Sequence, residues 1–163
     1  MVLLVGLTCL LYRGDLDLGL FQLDDPTYIT NNPLIHEVSS TNLKAILTQP
    51  YFANFSPTHL LSYMTDIRLG GNSPHVLHLS SNLWAGLVAA MVYLLGLVLF
   101  SQGNQSREMA TALAAGAGLL FAVHPVHVEA VAWISSRKDL VAASFTIPSL
   151  TCYLQYRRGW GGR

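Results

Sequence analysis

The sequence predicts an all-α protein: a multi-pass bundle of transmembrane helices with a long external loop that carries short amphipathic helices. Three observations point there. The 163-residue chain is 52% hydrophobic but only 11% charged, against about a quarter charged in soluble domains. Mean hydropathy is +0.41. The apolar residues gather in runs, and one of them, 77–100, holds no Asp, Glu, Lys or Arg. The formal net charge of zero gives no reason to expect a nucleic acid or another polyanion as partner.

Residues 1–12 (MVLLVGLTCLLY) are apolar but fall short of the roughly 20 residues a span needs. No basic segment precedes them and no small-residue cleavage site follows, so they do not fit a signal peptide. They read as the end of a truncated first transmembrane helix. Residues 13–76 form a polar first external loop, punctuated at Asp25-Pro26, Asn32-Pro33, Gln49-Pro50 and Ser56-Pro57. Within it Ser40 or Thr41 caps a helix over 42–47. Leu60, Leu61, Met64 and Ile67 give helical spacing over 58–69. Short amphipathic helices of this kind suit the plane of a membrane interface.

Residues 77–100 would reach about 36 Å as a helix, enough to cross ~30 Å of hydrocarbon. His75, His78, Ser80, Ser81 and Asn82 stand at or near the entrance of this span, where polar groups still reach the interface. Residues 101–108 (SQGNQSRE) make a short cytoplasmic turn. The next span, 109–123, is rich in Ala and Gly, which let helix backbones approach closely in lipid. Residues 124–139 are a second external loop. The last span, 140–156, contains Pro148, which is expected to kink it. The tail, 157–163, carries Arg157, Arg158 and Trp160 as an interfacial anchor. Cys9 and Cys152 lie in apolar runs and read as small buried hydrophobes rather than a disulfide pair. The positive-inside count does not fix orientation. Arg107, Arg157, Arg158 and Arg163 stand against Arg13, Lys44, Arg68, Arg137 and Lys138.

The chemistry concentrates in the two loops. Asp24-Asp25 offers adjacent carboxylates just beyond the first span, suited to a general base or to gripping a hydroxyl, and equally suited to starting a turn. The run 121–139 (FAVHPVHVEAVAWISSRKD) carries His124, His127, Glu129, Arg137, Lys138 and Asp139 between apolar segments. Pro125 stands against a helix that presents His124 and His127 as a zinc pair, so no metal is assigned. Arg137 and Lys138 either snorkel to headgroups or grip the phosphate of a lipid-linked substrate. Asn54-Phe55-Ser56 and Asn104-Gln105-Ser106 fit the glycosylation pattern, the first spoiled by Pro57.

Three stretches, LDDPTYITNNPL, NFSPTHLLSYMTD and GLLFAVHPVHVEAVAWISSRKDLVAASF, resemble, in order and spacing, the multi-pass membrane proteins with C-terminal tetratricopeptide repeats. That family includes the transmembrane O-mannosyltransferases and is similar to GT-C glycosyltransferases. The resemblance implies transfer of a sugar, mannose first, from a polyprenyl-phosphate donor to a protein Ser/Thr hydroxyl. The reaction would lie on the lumenal or periplasmic face of the endoplasmic reticulum or bacterial inner membrane. It implies Asp24 or Asp25 as base, and Arg137 and Lys138, with His124, His127 and Glu129 nearby, around the lipid phosphate. No cofactor beyond the donor is implied. Family members carry more spans and then the repeats, so the chain reads as the N-terminal membrane portion, inactive alone. The rival expectation is a non-catalytic membrane scaffold. A transporter would need ionisable groups inside its spans, and 83–100 has none.

Overall fold

The computed structural model describes residues 1–102 and 105–161, with side chains described up to Gly159. The expectations for Asn104, for the side chain of Trp160 and for Arg163 lie outside the described residues. Among the described residues every regular element is helical, and the one β contact is an isolated bridge between Tyr51 and Asn54.

The organising element is α5 (Pro74–Phe100), opened by a proline at its first turn, where the missing N–H would be unpaired anyway. Helices α1 (Val2–Leu11), α6 (Arg107–Val123) and α8 (Lys138–Gly161) all pack against it. Ala110, Ala114, Gly118 and Ala122 form one buried stripe on α6, spaced four apart. Against it, a Cβ on Gly96 of α5 would stand 3.0 Å from the Ala114 Cα. The small residues therefore set the helix separation, as expected from their composition. Leu79, Leu83 and Leu87 of α5, spaced four apart, remain exposed on one apolar face.

Of these helices α5 alone is both long and apolar enough to cross a membrane. Arg107–Val123 followed by Pro125–Ala132, bent by 50°, would make a second candidate if the pair counts as one span. Helix α8 is longer than the apolar segment 140–156. Its hydroxyls, Gln155 and terminal arginines dilute its apolar character. It runs on through Pro148, which withdraws a donor from the Ser144 carbonyl. Cys9 is half-buried and Cys152 exposed, so burial does not hold for the second; both are free thiols.

The first loop is folded rather than irregular. After a 3-10 turn (Arg13–Asp17) and a π-helical turn (Pro26–Thr30) come α2 (Pro33–His36), α3 (Ser40–Thr48) and α4 (Pro57–Gly70). The cap of α3 is Ser39, one residue before the expected Ser40, its Oγ accepting from Asn42 N–H at 3.1 Å. Tyr28, Ile29, Ile35, Ile46, Leu60 and Met64 close a core that Leu77 of α5 and Ile134 complete. Burying one such aliphatic side chain contributes about 1.5–3 kcal/mol. This core seats the first loop on the end of α5 and on the second loop.

The second loop is helical too. Pro125–His127 is a 3-10 turn, Val128–Ala132 forms α7, and Ile134–Arg137 is a further 3-10 turn leading into α8. Pro125 sits at the first position of its turn, where proline favours helix rather than breaking it.

Candidate functional site

The turn at Ile134–Arg137 is where the two loops meet. Asp25 is fully buried. Its Oδ1 accepts from the Ser135 backbone N–H at 2.9 Å and from the Ser135 hydroxyl, and its Oδ2 accepts from Phe21 N–H at 2.8 Å. Three donors on one buried carboxylate satisfy it almost completely. Asp25 thus ties the first loop to the second across 110 positions of sequence. Its neighbour Asp24 is half-buried, and no hydrogen bond or ion pair reaches its carboxylate among the described residues.

Arg137 is fully buried as well. Its Nε donates to Ser81 Oγ at 3.0 Å, and its Nη1 to Asp66 and, at 3.5 Å, to Ser62 Oγ. Its Nη2 donates to the Leu77 carbonyl, and the guanidinium lies 4.8 Å from the centre of the Tyr63 ring. The planar fork is used on several sides, which a lysine could not reproduce. Lys138, the next residue, is exposed at the start of α8, with Asp139 beside it.

Above Arg137 runs a buried relay. The Tyr63 hydroxyl donates to the Ile134 carbonyl at 2.5 Å. Its single proton is thereby used, so the His59 Nε2–H must donate to the Tyr63 oxygen, also at 2.5 Å. Burial, helped by the charges of Arg137 and Lys138, lowers the His59 pKa to about 3. Burial likewise drives the Tyr63 hydroxyl well above its ordinary range. Both are neutral, fixed struts.

His124, His127 and Glu129 line the outer side. His124 is exposed, and its Nδ1 accepts from Val126 N–H at 3.2 Å. The His124 and His127 rings lie 5.9 Å apart, and His127 stacks 4.0 Å from Phe121. Glu129 is exposed. It lines a cleft of about 280 Å³ with Phe21, Leu23, Val128, Ala132 and Trp133, formed by both loops. Among the described residues no group of three or more His, Cys, Asp or Glu side chains is placed to hold a metal ion.

The structure therefore brings Asp25 into contact with the second loop and leaves Asp24, Lys138, His124 and Glu129 reachable from outside. The residues missed beforehand are Ser135 and the α4 set His59, Ser62, Tyr63 and Asp66. Their spacing of three and four was the available signal, since it places all four on one helix face.

These features define an all-helical protein in which an acidic and a basic connector converge beside an apolar helix. Comparison with known proteins gives the family. The chain is 32% identical to the human protein O-mannosyl-transferase TMTC2 over 68% of its own length and 12% of the relative's. It is 33% identical to the mouse protein O-mannosyl-transferase TMTC1 over 96% of its length and 16% of the relative's. The human protein O-mannosyl-transferase TMTC3 is 28% identical over 98% and 17%. The chain is thus homologous to one stretch of the transmembrane O-mannosyl-transferase family, the family its motifs resemble. It spans less than a fifth of the length of these three relatives. No protein-family profile matches it, and no solved structure does.

Proposed function

We propose that the chain is the N-terminal membrane portion of a multi-pass glycosyltransferase that moves mannose from a polyprenyl-phosphate donor to a Ser or Thr hydroxyl of a protein acceptor. The two loops lie on the lumenal or periplasmic face. In this proposal Asp24 is the base that takes the acceptor's proton, because its neighbour Asp25 is already committed to three donors. Asp25 positions Asp24 against the second loop. Lys138, with His124 and His127, supplies the positive and hydrogen-bonding groups for the departing phosphate. Arg137, bound within the fold, braces that turn rather than touching the donor. The observation that carries the proposal is the buried Asp25–Ser135 contact, which joins an acidic and a basic connector otherwise far apart in sequence.

The test is a chimera in which this chain replaces the matching stretch of the mouse relative. Transfer of labelled mannose from polyprenyl-phosphate mannose to a protein acceptor is measured in membranes. With the chimera's activity as baseline, Asp24→Asn lowers the rate by about 10²–10⁴ without loss of folded protein. Asp25→Asn lowers both activity and stability. If both variants transfer mannose as well as the parent, the second reading stands: a scaffold whose buried charges serve folding alone. The engagement of Asp25 and Arg137 in structural bonds is what favours that second reading.

A further inference from the structure

At the entrance of α5, three buried acceptors are left without a donor. His78 and Asn82 lie one turn apart on α5 and are 0% and 1% exposed. Both face segment 12–19. The Asn82 Nδ2–H donates to the Tyr12 carbonyl at 3.1 Å, which fixes the amide orientation and leaves its Oδ1 buried and unpartnered. His78 Nε2 faces the Gly19 carbonyl at 3.5 Å. A carbonyl only accepts, so in the neutral ring Nε2 carries the proton and Nδ1 presents a lone pair. That Nδ1 is buried and unpartnered. Asp15 lies in the turn Arg13–Asp17, which packs on α5, and its Oδ2 is also buried without a partner. Burial pushes the Asp15 carboxyl up and the nearby His78 pulls it back. No hydrogen bond or ion pair joins the two among the described residues.

A buried acceptor left unmet is costly. A single water has only two protons to offer three acceptors; a cation serves all three at once. We infer that Asp15, His78 and Asn82 form a binding site for a divalent transition-metal ion, held by a carboxylate oxygen, an imidazole nitrogen and an amide oxygen. The nitrogen ligand favours Mn²⁺ or Zn²⁺ over Mg²⁺ or Ca²⁺. The ion would sit where the turn Arg13–Asp17 packs on α5. It would pin segment 12–19, which leads into Asp24, onto α5. This site is separate from the His124–Glu129 run and does not depend on the glycosyl-transfer proposal.

The test is Mn²⁺ titration of the chain in detergent micelles, read by loss of the free-ion electron paramagnetic resonance signal. One saturable Mn²⁺ per chain is expected, displaced by Zn²⁺. Asp15→Asn weakens binding about tenfold or more. Asn82→Asp adds a charge and tightens it, and Asp17→Asn, at an exposed neighbour, leaves it unchanged. Circular dichroism checks folding, and if Asp15→Asn unfolds, Asn82→Asp decides alone. Absence of saturable binding at millimolar Mn²⁺, or affinity unchanged in the folded variants, overturns the site and leaves a pocket for internal water.

Discussion

The Arg137–Asp66 pair makes the sharpest energetic prediction. Arg137 is wholly buried and the Asp66 side chain is 10% exposed. Removing Asp66 leaves the guanidinium with Ser62, Ser81 and the Leu77 carbonyl but no anion. Breaking a buried pair this way costs about 3–5 kcal/mol. The slight wetness of Asp66 puts Asp66→Ala at the lower end, about 3 kcal/mol. Arg137→Lys keeps the charge but loses the fork, and with it at least one charge-assisted bond, about 1.5–3 kcal/mol. The double variant Arg137→Met with Asp66→Leu removes both charges and should cost less than Asp66→Ala alone. Unfolding in detergent micelles, followed by circular dichroism, measures all three. If Asp66→Ala lies within about 0.5 kcal/mol of the parent, or the double variant costs as much as Asp66→Ala or more, the pair is not the brace described here.

Three further predictions concern packing, pH and backbone. Gly96→Leu forces a side chain against the Ala114 backbone and should destabilise the α5–α6 contact by about 1–3 kcal/mol, seen as a lower midpoint in the same unfolding assay. His59 has a folded pKa near 3 against an ordinary 6.5, so the unfolded state binds its proton first. Its contribution is complete above about 6.5 and declines as pH falls toward 3, by up to about 1.4 kcal/mol per unit. His59→Gln should flatten that part of the stability–pH curve, and an unchanged slope would count against a buried neutral imidazole. Ala53, at φ 58° beside Phe52 at 46°, holds a left-handed conformation. Ala53→Gly should raise stability by about 1 kcal/mol, and a loss instead would mean the methyl packs.

The all-helical class was legible from composition and from the charge-free run that became α5. The stripe Ala110–Ala114–Gly118–Ala122 was legible as a close-approach surface, though not its partner Gly96. Arg137 was read as reaching out to headgroups or to the phosphate of a lipid-linked substrate. Nothing local revealed that Asp66, far earlier in the chain, would meet it. Pro125 was read as a helix breaker, whereas position decided: at the first residue of a turn, proline is compatible with helix. The division between Asp24 and Asp25 was illegible for the same reason as Arg137. Adjacent carboxylates look alike until a distant Ser135 claims one of them.

That claim by Ser135 is what brings the acidic and basic connectors together, and it can be measured directly. Cysteines replace Asp25 and Ser135 in a background where Cys9 and Cys152 are serine, and sealed membranes are mildly oxidised. The account predicts an intramolecular disulfide in most chains, and, in separate variants, exposed thiols at Leu23→Cys and Lys138→Cys labelled from the same side of the vesicle. A pair that never cross-links, with the Leu23→Cys and Lys138→Cys thiols reacting with an impermeant reagent from opposite sides, would contradict it.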